Sequence, residues 1–157
     1  MLNLYADGGV IKINPSPFGG TFAWCLVENE RIIRHDSGVV EPLDIGLPAI
    51  SNNLTELLAV LMALTANPDF TGTLWTDSLV TLNRITTGKA FKNIPNSMRL
   101  KALEIRRDRK WQAHLLKGHP SKSELARGMS KNGYSVSKFN VWCDKKCGEL
   151  ATNFLKG

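Results

Sequence analysis

Apolar and polar positions fall in short blocks over the first third of this chain. Residues 2–6 form a small apolar run that stops at Asp7-Gly8-Gly9, which predicts a strand ending in a turn. A loop rich in proline and glycine follows, Asn14-Pro15-Ser16-Pro17-Phe18-Gly19-Gly20. Residues 21–27 are aromatic and β-branched, side chains that pack well on a pleated surface, and they predict a second strand. Glu28-Asn29-Glu30 is a tight polar connection, after which residues 31–40 complete an expected antiparallel meander. Pro42, Gly46 and Pro48 mark 41–50 as loop.

The period then changes. Leu54, Leu57, Leu58, Leu61, Met62 and Leu64 cover a broad helical face over 53–66, and Asn67-Pro68 closes it. Residues 72–76 predict a short strand. Asp77-Ser78 opens a helix reaching residue 86, and 87–96 is a short loop carrying Gly88 and Pro95. A third helix is expected over 97–109, a fifth strand over 111–116, a long polar segment over 118–140 and a last helix over 141–155. On that last helix Cys143, Cys147, Leu150, Ala151 and Phe154 share one face. A meander followed by strand–helix alternation predicts an α/β fold, a mixed five-stranded sheet packed by helices. No internal repeat is visible, and 157 residues is the length of a single domain spanning 1–157.

Composition narrows the setting. The formal charge is +6 and the isoelectric point about 9.4, which fits a polyanionic partner without requiring one. Cys25, Cys143 and Cys147 are odd in number and lack framework spacing, so reduced thiols and a cytoplasmic setting are expected. The opening Met-Leu-Asn-Leu-Tyr-Ala-Asp has neither a basic start nor a cleavage pattern and is not read as a signal peptide. The longest apolar run, near residues 54–66, is too short to span a bilayer, so no membrane partner is expected.

Four acids stand at element boundaries, and each has an ordinary structural use. Asp7 before glycine is turn chemistry. Asn53 and Glu56 have the spacing of a capping box. Asp77 between strand and helix is an N-cap candidate. Asp144, expected in the first turn of the last helix, suits the macrodipole. Together they mean more, because a mixed sheet could bring two strand ends and two helix starts to one edge. Converging carboxylates repel unless cations lie between them, and hard oxygen donors suit Mg²⁺. Two such ions about 4 Å apart can clamp an in-line phosphoryl displacement.

The motifs around these acids carry a resemblance over nearly the whole chain. Tyr5-Ala6-Asp7-Gly8-Gly9, Asn14-Pro15, Ser51-Asn52-Asn53-Leu54-Thr55-Glu56-Leu57, Trp75-Thr76-Asp77-Ser78, Lys117-Gly118-His119 and Asn140-Val141-Trp142-Cys143-Asp144 resemble the motifs of type 1 ribonuclease H, in its order. The resemblance implies a ribonuclease H-like fold whose last two strands run parallel to the first. It implies an endonuclease that hydrolyses the RNA strand of an RNA–DNA hybrid and leaves 5′-phosphate and 3′-hydroxyl ends. Asp7, Glu56, Asp77 and Asp144 would be catalytic acids holding two Mg²⁺ ions, with Mn²⁺ as a substitute. His119 would sit on a flexible loop and assist proton transfer or product release. Asn14 and Asn52 would touch the hybrid, Asn52 reading a 2′-hydroxyl. Ser51 and Asn93 would form a pocket for a DNA-strand phosphate. The expected partner is the hybrid, bound by a monomer.

The pattern departs from the family in three places. Residues 87–96 leave no room for the basic handle helix of many members. The aromatic residue that often packs against the DNA strand is Ser97 here. The segment after His119 is long and carries Lys122, Arg127, Lys131 and Lys138, either a phosphate-contacting arm or a mobile loop. At the last helix, Asp144 is the acid that fits without a gap, and a competing register runs through Cys147-Gly148-Glu149. Two other functions compete with hybrid cleavage. One is a nuclease of the same superfamily acting on branched or single-stranded DNA. The other is a non-catalytic nucleic-acid-binding module.

Overall fold

The computed structural model describes residues 1–89 and 92–157. Five strands form one sheet: β1 (Leu2–Val10), β2 (Gly20–Glu28), β3 (Arg31–Val40), β4 (Thr73–Thr76) and β5 (Gln112–Leu115), in the order β3-β2-β1-β4-β5. The first three are an antiparallel meander, and β4 and β5 run parallel to β1. β1 and β2 are longer than the apolar runs suggest, because ladder pairing continues through Asp7-Gly8-Gly9 opposite Thr21–Ala23. The expected turn at Gly8 is therefore strand.

Helices cover both faces. α1 (Asn52–Ala66) packs on β1 and β2, and α5 (Lys138–Lys156) lies across β1, β2 and β3 on the other side. Strand alternation divides the core between them. Leu4, Ala6, Phe22, Trp24 and Leu26 join the α1 side, while Tyr5, Ala23, Cys25 and Val27 join the α5 side with Cys143 and Cys147. This explains why β2 is buried at every position but Glu28. α2 (Leu79–Thr86) and α3 (Asn96–Arg107) flank α1, and Pro42–Ile45 is a single 3₁₀ turn. Between β5 and α5 the expected polar segment contains a short α4 (Lys122–Arg127). The loop predicted over 87–96 is described except for Ala90 and Phe91, which lie outside the described residues.

Three helix starts differ from expectation. Ser51, not Asn53, caps α1 by accepting the Leu54 N–H at 3.2 Å, so Glu56 lies a turn inside the helix and makes no capping box. Ser78, not Asp77, caps α2 by accepting the Thr81 N–H. α5 begins at Lys138 behind a Ser137 cap, so Asp144 falls in its second turn rather than its first. At α1 and α2 a serine hydroxyl takes the orphan N–H and leaves the carboxylate without that structural duty, while at α5 the earlier start takes Asp144 out of the first turn.

Two glycines near the acids stand in opposite surroundings. A Cβ at Gly8 would run into the Thr55 carbonyl and would lie 2.7 Å from the Glu56 nitrogen, so α1 rests directly on the β1 backbone there. Gly148, by contrast, stands exposed inside α5 with no atom near its would-be Cβ. Gly8→Ala should therefore cost about 1–3 kcal/mol through overpacking. Gly148→Ala should add roughly 0.5–1 kcal/mol through helix propensity. Urea unfolding of both variants beside the parent checks the pair, and a Gly8→Ala chain as stable as the parent would contradict the close helix–strand contact.

Candidate metal centre

β1 and β4 pair from Asn3–Thr73 to Tyr5–Trp75. Asp7 and Asp77 each lie two residues beyond the last pair, on the carboxyl side, where the strands part. Crevices of open sheets lie at such strand ends. α1, seated on Gly8, delivers Glu56 to the same fork. Carboxylate oxygens of Asp7, Glu56 and Asp77 lie within 4.8 Å of one another. Asp7 and Glu56 are 2% and 6% exposed, and Asp77 is half-buried.

Such crowding of buried acids disfavours their charged forms. Burial is the main cause that pushes Asp7 well above the usual carboxylate range, with Glu56 and Asp77 adding repulsion. Glu56 is raised to about 8, chiefly by burial and then by the Asp77 charge. Burial also raises Asp77, against the Asn140 amide and His119, which favour its anion. Glu56 Oε2 is buried without a hydrogen-bond partner among the described residues. None of the ion pairs among those residues involves the three acids. Buried polar atoms are rarely left orphaned. An all-oxygen donor set with one unsatisfied carboxylate oxygen suits a hard cation, so the cluster could hold metal ions.

Asp144 reaches the rim rather than the centre. It is half-buried on α5, and its charge is felt by Asp7, Glu56 and Asp77. His119 Nδ1 lies 3.5 Å from Asp144 Oδ2 on an exposed turn where His119 has a left-handed φ of 49°. Glu149 is exposed and faces Lys146 at 3.9 Å. Asn14 and Asn52 meet at the start of α1, where Asn14 Oδ1 accepts the Asn52 N–H at 3.0 Å. Ser51 stands beside them as the helix cap. Asn93 is exposed in a turn, with a φ of 62°. Lys122, Arg127, Lys131 and Lys138 are exposed, and Lys138 belongs to α5 rather than to the loop.

Two participants are visible only in three dimensions. Asn140, buried on α5, points its Nδ2 at Asp77 Oδ2 from 3.5 Å. Gly118 lets the His119 turn press on Asp77, since a Cβ there would lie 2.8 Å from Asp77 Oδ2. Asn140 stands in the motif before Asp144, but its aim at Asp77 depends on how α5 crosses the sheet.

The raised carboxyls have a consequence for the metal-free protein. Between pH 4.5 and about 8 the folded chain holds protons on Glu56 that the unfolded chain releases. Stability is thus fully present below pH 4.5 and lost as pH rises through 8. Melting in EDTA should show Tm falling over that window, with a flatter profile for Glu56→Gln. A Tm that rises from pH 5 to 8 in the parent would contradict the crowded cluster.

No protein-family model and no curated protein sequence matches the chain. Solved structures do. Ribonuclease H1 from the halophilic archaeon Halobacterium salinarum is similar with a TM-score of 0.65 at 19% identity, covering 97% of this chain and 98% of that one. LC11-RNase H1 in complex with RNA/DNA hybrid gives 0.69 at 14% identity over 99% of both chains. The N-terminal ribonuclease H domain of Rv2228c from Mycobacterium tuberculosis gives 0.67 at 12% identity, covering 99% and 96%. With its 3-2-1-4-5 sheet and its acids at the parting of β1 and β4, the chain has the type 1 ribonuclease H fold.

Proposed function

We propose that this chain is a divalent-metal-dependent endonuclease that hydrolyses the RNA strand of RNA–DNA hybrids, acting as a monomer. The observation that carries the reading is the buried Asp7–Glu56–Asp77 cluster, with its orphaned Glu56 oxygen, at the carboxyl edge of β1 and β4. Asp7, Glu56, Asp77 and, from the rim, Asp144 would hold two Mg²⁺ ions, which Mn²⁺ could replace. Bound there, the ions supply charge neutralisation and an activated water for in-line displacement at phosphorus. In that displacement the water oxygen bonds to phosphorus and the bond to the 3′-oxygen breaks. The leaving oxygen takes a proton, giving a 3′-hydroxyl on one fragment and a 5′-phosphate on the other.

The chain's own residues set up the rest. Asn140 donates toward Asp77 and favours its anion, the form a cation needs. With Nδ1 directed at Asp144, His119 exchanges protons with the reacting strand through Nε2 from the solvent edge. Asn14 and Asn52 are already joined by a hydrogen bond, so they meet the duplex as one preorganised pair. The Asn52 side chain reads the 2′-hydroxyl, the group that separates RNA from DNA. The Ser51 hydroxyl accepts from Leu54 and still has its own proton to give a phosphate of the DNA strand, with Asn93 as its partner in that pocket. The complex of LC11-RNase H1 with a hybrid supports this substrate class through the shared fold.

The reading is tested by offering a labelled hybrid, a DNA duplex and a branched DNA junction, each with Mg²⁺ and with EDTA. Only the RNA strand of the hybrid should be cut, only with metal. Junction cleavage, full activity in EDTA, or 2′,3′-cyclic phosphate products would overturn it.

Two substitutions separate chemistry from structure. Ser78 already caps α2, so Asp77→Asn should melt as the parent does or slightly higher. Its turnover should fall by more than the roughly 10–100-fold that loss of an outer-sphere partner costs. Near-parental turnover in Asp77→Asn would remove Asp77 from the site. Asp144→Ala should likewise cut metal-supported turnover sharply, while Glu149→Ala changes it little. Steady-state rates in the reverse order would show that the acid of α5 is misassigned.

A further inference from the structure

The segment between His119 and α5 is built around one carboxylate. Glu124, on α4, is 3% exposed. Both its oxygens meet the Lys117 ammonium, Oε1 at 2.7 Å and Oε2 at 2.9 Å. Oε1 also accepts the Ser121 N–H at 3.0 Å, and Oε2 accepts the Lys131 N–H at 3.2 Å. The Ser121 hydroxyl in turn accepts the Glu124 N–H and completes a capping box. The Lys117 hydrogen bond is the main cause that holds the Glu124 carboxyl down to about 2, so it is ionised at any working pH. Charge-assisted bonds of this kind are among the stronger ones a side chain makes.

The residues it ties decide its meaning. Lys117 lies two positions before His119, and Ser121 two positions after. The intervening Gly118 presses on Asp77, and His119 itself adopts a left-handed backbone that favours glycine or asparagine. A short turn with such a residue keeps one shape only if its ends are fixed. The Lys117 end is further fixed by its N–H bond to the Ser135 carbonyl at 3.0 Å. The Lys131 bond then closes the returning chain onto the same carboxylate.

We propose that Glu124 is a positioning residue: its buried carboxylate clamps both ends of the Lys117–Ser121 turn and thereby sets the His119 imidazole beside Asp144. The inference rests on the nuclease reading for its effect on turnover, but the clamp itself is independent of it. Glu124 acts through His119: its own contacts are Lys117, Ser121 and Lys131.

The test combines kinetics with amide exchange. Glu124→Gln keeps the shape and one acceptor but loses the charge, and Lys117→Gln breaks the same pair from its more exposed side. Misplacing a catalytic group by about 1 Å can cost up to roughly 100-fold, so each variant should lower kcat by about tenfold with KM for the hybrid unchanged. In a His119→Ala background Glu124→Gln should add nothing, because its route to the chemistry is already gone. A purely structural role predicts multiplied losses instead. Hydrogen exchange should quicken at Gly118, His119 and Ser121 in both variants while β1 amides stay protected. Parental kcat in Glu124→Gln, losses that multiply with His119→Ala, or unchanged exchange across 117–121 would each overturn the proposal. If the parent cleaves no hybrid, the nuclease reading fails on its own, and the exchange data alone decide the clamp.

Discussion

Two buried carboxylates and a half-buried third, held within 4.8 Å of one another, are the constraint on which this structure turns. Left alone they repel, and the chain answers by keeping Asp7 and Glu56 protonated far above the usual range. The repulsion is imposed by packing. β1 and β4 are locked in parallel register up to Tyr5 and Trp75, so the two aspartates beyond them have little freedom to separate. α1 cannot swing away because nine of its fifteen residues are buried and its backbone sits on Gly8. A core spread over both faces of the sheet thus offsets an electrostatic cost at its carboxyl edge. Strain at a site that the rest of the fold over-determines is characteristic of function.

Around this inner cluster lies a looser outer tier, drawn from the turn between β5 and α4 and from α5. Asn140, Asp144, Gly118 and His119 reach the cluster from that side. Their placement depends on two anchors of different kinds. Asn140 and Asp144 are fixed because α5 is fixed, with Cys143 and Cys147 packed against Cys25, Tyr5 and the β1 backbone. His119 has no such helix beneath it and depends on the Lys117–Glu124 pair. The long segment after His119 is therefore neither a plain mobile loop nor only a basic arm. It has a buried ionic centre and an exposed cationic surface.

Much of this was legible in the sequence. The five strands, the apolar helix over 53–66 and the last helix follow from periodicity, and the resemblance carried by the motifs implied that the last two strands run parallel to the first; the order of the strands in the sheet is a finding of the structure. The helix starts were less legible, because Ser51 and Ser78 compete with neighbouring Asn53 and Asp77 for the same capping role. Local pattern gives each candidate similar weight, and only the backbone geometry decides. Strand β1 ran past its glycines because pairing with β2 outweighed turn chemistry at Gly8. Glu124 had a readable signal in Ser121-x-x-Glu124, but its link to Lys117 spans seven residues across a turn that no periodicity describes. Asn140's aim at Asp77 is a property of helix placement and lies beyond any local motif.

If the acids are assembled for cations, as proposed above, they hold protons only in the absence of metal. Cation binding should then expel protons, because carboxyls must ionise to coordinate. Calorimetric titration of the metal-free protein with Mg²⁺ at pH 7, in two buffers of different ionisation enthalpy, reads that exchange directly. Saturable binding with net proton release that shrinks in Glu56→Gln is the expected result. Absence of binding, or binding with no proton release in the parent, would contradict it.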